Sequence, residues 1–156
     1  MKIGIIGHGK DKFTSDSEAE AKSIIESIIC DGQAQAGSEL LTVVSGHSPV
    51  GGVDIWAEDV ANEYSVQLDL KVPKQHTWDA KYGYKQRNLD IARDSEELHV
   101  ILVDKYPIGY NGTLKFNKCY HCNTDAHIKS GACWTAKEAQ KLGKPVIWHI
   151  IKQEIT

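Results

Sequence analysis

Five short apolar runs, KIGIIG at 2–7, LLTVVSG at 40–46, SVQLDL at 65–70, LHVILV at 98–103 and KPVIWHII at 144–151, are separated by stretches of helical periodicity. Runs of that length read as strands, the first two of them buried and the third alternating. Between them, Ile24, Ile25, Ile28 and Ile29 share one helical face, behind a Ser15–Glu18 spacing that suits a capping box and before an Asp31-Gly32 stop. Val53, Trp56, Ala57, Val60, Ala61 and Tyr64 fall at steps of three and four and give a second helix. Further helices are expected from about Tyr84 to Asp94 and from about Thr135 to Leu142, the latter closing at Gly143. Strands that alternate with helices form a parallel sheet with right-handed crossovers and helices on both faces. The expected architecture is therefore Rossmann-like α/β, with about five strands in a single domain over 1–156.

In such sheets ligands collect beyond the carboxyl ends of the strands. That selects three loops: GHGKDKF after the first strand, SGHSPVGG after the second, and the segment 104–134 after the fourth. The last far exceeds the few residues usual between strand and helix, so something must hold it in place. Several aromatics, Trp78, Tyr82, Tyr84, Tyr106 and Tyr110, fall in or beside the loops on this side, where a flat ring can stack.

The stretch SGHSPVGGVDIWAE runs from a glycine-rich loop straight into the second helix. Glycine lets a ligand approach the backbone, and a helix start offers unpaired N–H groups with a partial positive charge. Ser45, Gly46, His47, Ser48, Gly51 and Gly52 are thus candidates to cradle a phosphate. The alternative is a plain tight turn, with Pro49 and the glycines bending the chain and Asp54 complementing the helix dipole. The stretch matches neither a Walker loop nor the dinucleotide fingerprint. His8, His47 and His76 are candidate acid-base groups by residue type, but nothing in the sequence pairs them with an orienting carboxylate, so none is assigned to catalysis.

Three of the four cysteines lie between 119 and 133. Cys119, Cys122, His127 and Cys133 read C-x2-C-x4-H-x5-C, with His121 as an alternative ligand, a donor set and spacing that suit a closed tetrahedral zinc site. A structural zinc would also order the insert. Against this stand a simple packing role for Cys133 and exposure of the histidines, or a reactive Cys133 near a helix start. No tightly bound organic cofactor is assigned. Cys30 stands apart and is expected in the core.

Three stretches, in order, resemble the SLOG superfamily, which takes in the Smf/DprA, LOG and YspA-like groups. VVSGHSPVGGVDIWAEDVA resembles its loop-helix signature, KQRNLDIARDSEELHVILV its arginine-asparagine helix and fourth strand, and SGACWTAKEAQKLGKPVIW its glycine/threonine loop, helix and last strand. The resemblance implies a Rossmann-like fold that binds nucleotides or their derivatives, some members being phosphoribohydrolases and others sensors or DNA-processing proteins. It places Gly46, Gly51, Gly52, Asp54, Arg87, Asn88, Gly131 and Thr135 at the ligand, with Gly7 and Gly9 adding a phosphate-facing loop and Arg87 clamping phosphate. It also makes homo-oligomers common. LOG-type hydrolases have a PGGxGTxxE loop whose glutamate serves cleavage; here that loop reads SGACWTAKE. Glu138 is then a weak catalytic candidate, and its spacing from Thr135 equally fits a helix cap.

Composition narrows the function. The formal charge of -3 argues against a general nucleic-acid or anionic-membrane coat, and no run approaches the ~20 apolar residues of a membrane span. The start MKIGIIGHGKDKF is too short in apolar residues for a secretion signal, so a soluble cytoplasmic protein is expected. The favoured reading is a binder or sensor of a phosphorylated nucleoside or nucleotide-derived molecule. The alternatives are a nucleotide phosphoribohydrolase, a nucleic-acid binder using the insert with Lys115, Lys118 and Lys129, and a carrier of a phosphorylated cofactor such as molybdenum cofactor.

Overall fold

A computed structural model of the chain describes residues 1–154. Five strands, β1 (Lys2–Gly7), β2 (Thr42–Ser45), β3 (Gln67–Leu70), β4 (Glu97–Val103) and β5 (Val146–Ile151), form one parallel sheet in the order β3-β2-β1-β4-β5. The crossovers carry α1 (Ser15–Ala36), α2 (Val53–Glu63), α3 (Tyr84–Asp94) and α4 (Ala132–Lys141). Helix α1 packs beside α2, and α3 beside α4, so each face of the sheet is covered by one pair.

Strand residues divide between the two layers by parity. Ile3, Ile5, Ile101 and Val103 pack under α1 and α2, whereas Ile6, Leu98, Val100 and Leu102 pack under α3 and α4. Because β1 and β4 are covered on both faces, they read as unbroken apolar runs rather than alternating ones. From β1 the chain winds one way to β2 and β3, and from β4 the other way to β5, leaving a crevice at the carboxyl ends of β1 and β4. Gly7 closes β1 there; a Cβ on it would lie 2.1 Å from the Ile101 carbonyl oxygen, so the two strand ends meet only because this residue is glycine.

Local chemistry departs from the sequence expectations in four places. Helix α1 does not stop at Gly32 but runs on to Ala36; Gly32 is buried, and a Cβ would sit 2.9 Å from Ile3 Cδ1 and 3.0 Å from a Leu41 methyl. Its role is close helix-to-sheet packing. The capping box belongs to Thr14 and Ser17 rather than Ser15 and Glu18, and Glu18 instead pairs with Lys22 one turn on. Cys30 is exposed, not in the core. Helix α4 begins at Ala132, which puts Thr135 inside the helix, where it cannot cap it with Glu138. Among the described residues no helix is long and apolar enough to cross a membrane.

Candidate functional site

The crevice holds a cavity of about 310 Å³, walled by four parts of the chain. Gly7, His8, Gly9 and Lys12 come from the end of β1 and its loop, Ser48 and Asp54 from the β2–α2 connection, and Arg87 and Asn88 from α3. Tyr106, Tyr110, Lys129 and Ser130 of the insert, with Gly131 and Thr135 around the start of α4, close the fourth side. Three cations therefore face one concavity at the topological switch point.

Arg87 is fixed before any ligand arrives. Its Nη1 donates to the Gly46 carbonyl and its Nε to Asn88 Oδ1 at 2.7 Å, while its charge lies near Asp54. Gly46 serves this arrangement, because a Cβ there would stand 2.9 Å from Asp54 Oδ2 and 3.0 Å from Arg87 Nη1. Burial raises the Asp54 carboxyl to about 6, against the pull of Arg87 and of the Ser48 amide, which donates to Asp54 Oδ2 at 3.2 Å. A carboxyl so perturbed in a cavity wall is a mark of functional sites.

The remaining glycines of the α2 loop are placed elsewhere. Gly51 and Gly52 do not line the cavity, and the Val53 amide at the helix start donates to the His8 carbonyl at 3.2 Å. A Cβ on Gly52 would meet His8 O at 2.5 Å, and its φ is 85°, so it lets two loops touch. Ser45 and His47 turn to a residue the sequence reading passed over: Glu58, buried on α2, accepts from Ser45 Oγ at 2.9 Å and pairs with His47 Nδ1 at 2.7 Å. The missed signal was Glu58 lying one turn after Asp54 on the face of Ala57 and Ala61. His47 thus has the carboxylate partner its sequence neighbours did not reveal.

His8 is a structural staple. The Val103 amide donates to its Nδ1 at 3.1 Å, and its Nε2 meets the Lys129 carbonyl at 3.1 Å, tying the first loop to the insert. Burial lowers its pKa to about 4, so at neutral pH the ring is uncharged, with the proton on Nε2. Glu138 is held by Lys141 at 3.0 Å and does not line the cavity.

Behind the cavity wall, Cys119, Cys122, His127 and Cys133 come together with their ligand atoms all within 4.8 Å of one another, a group able to hold a metal ion. Cys119 and Thr124 exchange backbone hydrogen bonds of 2.8 and 3.2 Å, which folds 119–124 into a tight knuckle, and Cys133 enters from the first turn of α4. His127 Nδ1 lies 2.7 Å from the Ile128 carbonyl; that bond takes the ring proton and leaves Nε2 free, 4.0 Å from Cys133 Sγ. Tetrahedral bonds of about 2.0–2.3 Å put ligand atoms roughly 3.5–3.8 Å apart. Small inward movements therefore suffice. Burial raises the Cys122 and Cys133 thiols, with the Cys119 charge adding to both. Burial opposes ionisation of Cys119 too, but hydrogen bonds from the Ser130 and Cys122 amides, the Cys133 thiol and the His121 amide outweigh it and lower its pKa. Without a cation, ionising all three thiols together is opposed by burial and by their mutual repulsion. His121 instead packs beside Tyr120, ring centroids 4.4 Å apart, outside the four.

No protein-family model matches this chain, and no curated protein matches it by sequence. Among solved structures it is similar to the molybdenum cofactor carrier protein MCP from Chlamydomonas reinhardtii, over 97% of this chain and 77% of that one, with 18% identity and a TM-score of 0.53. The likeness is one of fold.

Proposed function

We propose that this protein binds and releases a small phosphorylated molecule of nucleotide type in the crevice between β1 and β4. The observation that carries this reading is the convergence of Lys12, Arg87 and Lys129 on a cavity whose floor is made by Gly7 and Gly9. A bidentate guanidinium and two ammonium groups suit a phosphate dianion, and the small residues let it reach backbone amides. Of the named ligand residues, Gly7, Gly9, Ser48, Asp54, Arg87, Asn88, Gly131 and Thr135 would touch the ligand, and Gly46 would position Arg87. Ser45, His47, Gly51 and Gly52 would shape the loop from behind. The reading agrees with the SLOG resemblance, and the cofactor-carrier role of the structural neighbour favours a carrier or sensor of a phosphorylated cofactor within it.

Calorimetric titration with ribose 5-phosphate tests the reading. Binding should occur and weaken about 10- to 100-fold in Arg87→Ala, the value of a charge-assisted hydrogen-bonded contact. Absence of binding at millimolar ribose 5-phosphate would overturn it.

A second reading has one observation in its favour: Asp54, with its raised carboxyl pKa, faces the same cavity. In a phosphoribohydrolase it would stabilise the cationic sugar as the N-glycosidic bond breaks and water adds at the sugar carbon. Release of free base from a nucleoside monophosphate, abolished in Asp54→Asn, would select it.

The cysteine-histidine cluster would hold structural zinc, since three thiolates and one imidazole of fixed tautomer match that ion's preferences. Its contribution is to the fold of the insert: His127 leads directly to Ile128, Lys129 and Ser130, so the metal would fix one wall of the cavity. Elemental analysis of protein purified without chelator should give one zinc per chain, lost in Cys122→Ser.

A further inference from the structure

The cavity proposed for phosphate adjoins a second one of about 390 Å³, and Arg87, Asn88, Lys129 and Gly131 line both. The annex differs in chemistry. Its outer walls are Trp78 from the β3–α3 loop, Tyr84 and Trp134 from α3 and α4, and the neighbouring Tyr120 and His121 of the knuckle. The Trp78 and Trp134 rings meet edge to face, with centroids 4.8 Å apart at 83°. The Arg87 guanidinium lies 5.4 Å over the Tyr84 ring.

These aromatics are held although they are not buried. Trp78 is 41% exposed and Tyr120 61% exposed. Yet the Trp78 carbonyl accepts from the Lys85 amide at 3.1 Å and the Thr77 carbonyl from the Tyr84 amide at 3.0 Å, which pins the loop to the start of α3. Open aromatic surface on an anchored backbone, beside a cationic cavity, is the arrangement that stacks a flat ring at low entropic cost. Asn88 stands at the junction. Its Oδ1 is taken by Arg87 Nε, leaving its amide N–H groups to donate to an acceptor on the ligand.

We infer that the annex is the subsite for a planar heteroaromatic ring covalently joined to the phosphate in the main cavity, with Trp78 and Trp134 supplying the stacking surface and Asn88 a donor to the ring or its sugar. The inference rests on the phosphate reading above and adds where the ring of such a ligand sits and which side chains hold it. It gives Trp78 and Trp134 a role in selectivity: they distinguish a nucleoside monophosphate from a simple sugar phosphate.

The test is calorimetry with three probes: inorganic phosphate, ribose 5-phosphate and 5′-AMP or 5′-GMP. Stacking of one base should make a nucleotide bind roughly 5- to 100-fold tighter than ribose 5-phosphate. Trp78→Ala should remove most of that increment and leave ribose 5-phosphate affinity unchanged, and Trp78→Phe should restore part of it. Equal affinity for nucleotide and ribose 5-phosphate would overturn the subsite while leaving the phosphate reading intact. So would a Trp78→Ala variant that weakens both probes alike, or a Phe variant no better than Ala. Failure of all three probes to bind would overturn both readings.

Discussion

Replacing Asp54 by asparagine removes a charge from a buried position whose protonation the fold strongly perturbs. Burial lifts the carboxyl from 3.8 to about 6, Glu58 adds to the rise, and Arg87, the Ser48 amide and His47 only partly oppose it. A carboxyl whose folded pKa exceeds its unfolded value binds more protons in the native state between those two values. Stability therefore falls as pH rises from about 4 to about 6, and above that window the native state bears the whole cost. At about 1.4 kcal/mol per pH unit, the ceiling is about 3 kcal/mol. Asparagine carries no such cost and keeps an oxygen for the Ser48 N–H. Asp54→Asn should therefore be more stable than the parent by about 1–3 kcal/mol at pH 7, with the advantage fading near pH 4. Urea unfolding of both proteins at the two pH values measures it, and the difference cancels titrations they share. A variant no more stable at pH 7, or one with the same advantage at both pH values, would refute the reasoning.

His8→Ala removes the bonds to Val103 and Lys129; it should cost about 2–4 kcal/mol in denaturant unfolding. The histidine's folded pKa of about 4 lies below its usual 6.5, so its share of stability is present above pH 6.5 and is lost as pH falls toward 4. The variant should flatten that slope. Gly52→Ala forces a Cβ against His8 O at 2.5 Å on a backbone with φ of 85°; a loss of about 2–4 kcal/mol is expected, read as a lowered urea midpoint. Chelation by a strong zinc ligand should lower the melting temperature and weaken ribose 5-phosphate binding together; a chelator without effect on either would remove the metal from the account.

The layer order and strand-helix alternation were legible because burial on both faces leaves an unmistakable signature in Ile3–Ile6 and Leu98–Val103. The four residues of the cysteine-histidine cluster were legible by spacing, since they are local in sequence. The cavity was legible in part. Arg87, Asn88 and Asp54 stood out through the SLOG-like stretches. Lys12 lay in the first selected loop and Tyr106 among the aromatics beside it, yet neither was singled out for the ligand, and Lys129 enters the cavity only through tertiary packing of the insert, which no spacing rule encodes. The glycines before α2 point two ways for a physical reason: the open backbone that suits a phosphate also suits a carbonyl, and at Gly52 the His8 carbonyl takes that space. Gly32 repeats the lesson inside α1, where a residue that commonly ends helices instead makes room for Ile3 and Leu41.

A crystal structure of the protein grown with 5′-AMP would be the most direct measurement. Phosphate density between Arg87, Lys129 and the Gly7–Gly9 backbone, with zinc-strength density among Cys119, Cys122, His127 and Cys133, is the result expected here. A phosphate seated outside that crevice, or a crevice that stays empty at saturating nucleotide, would contradict the assignment.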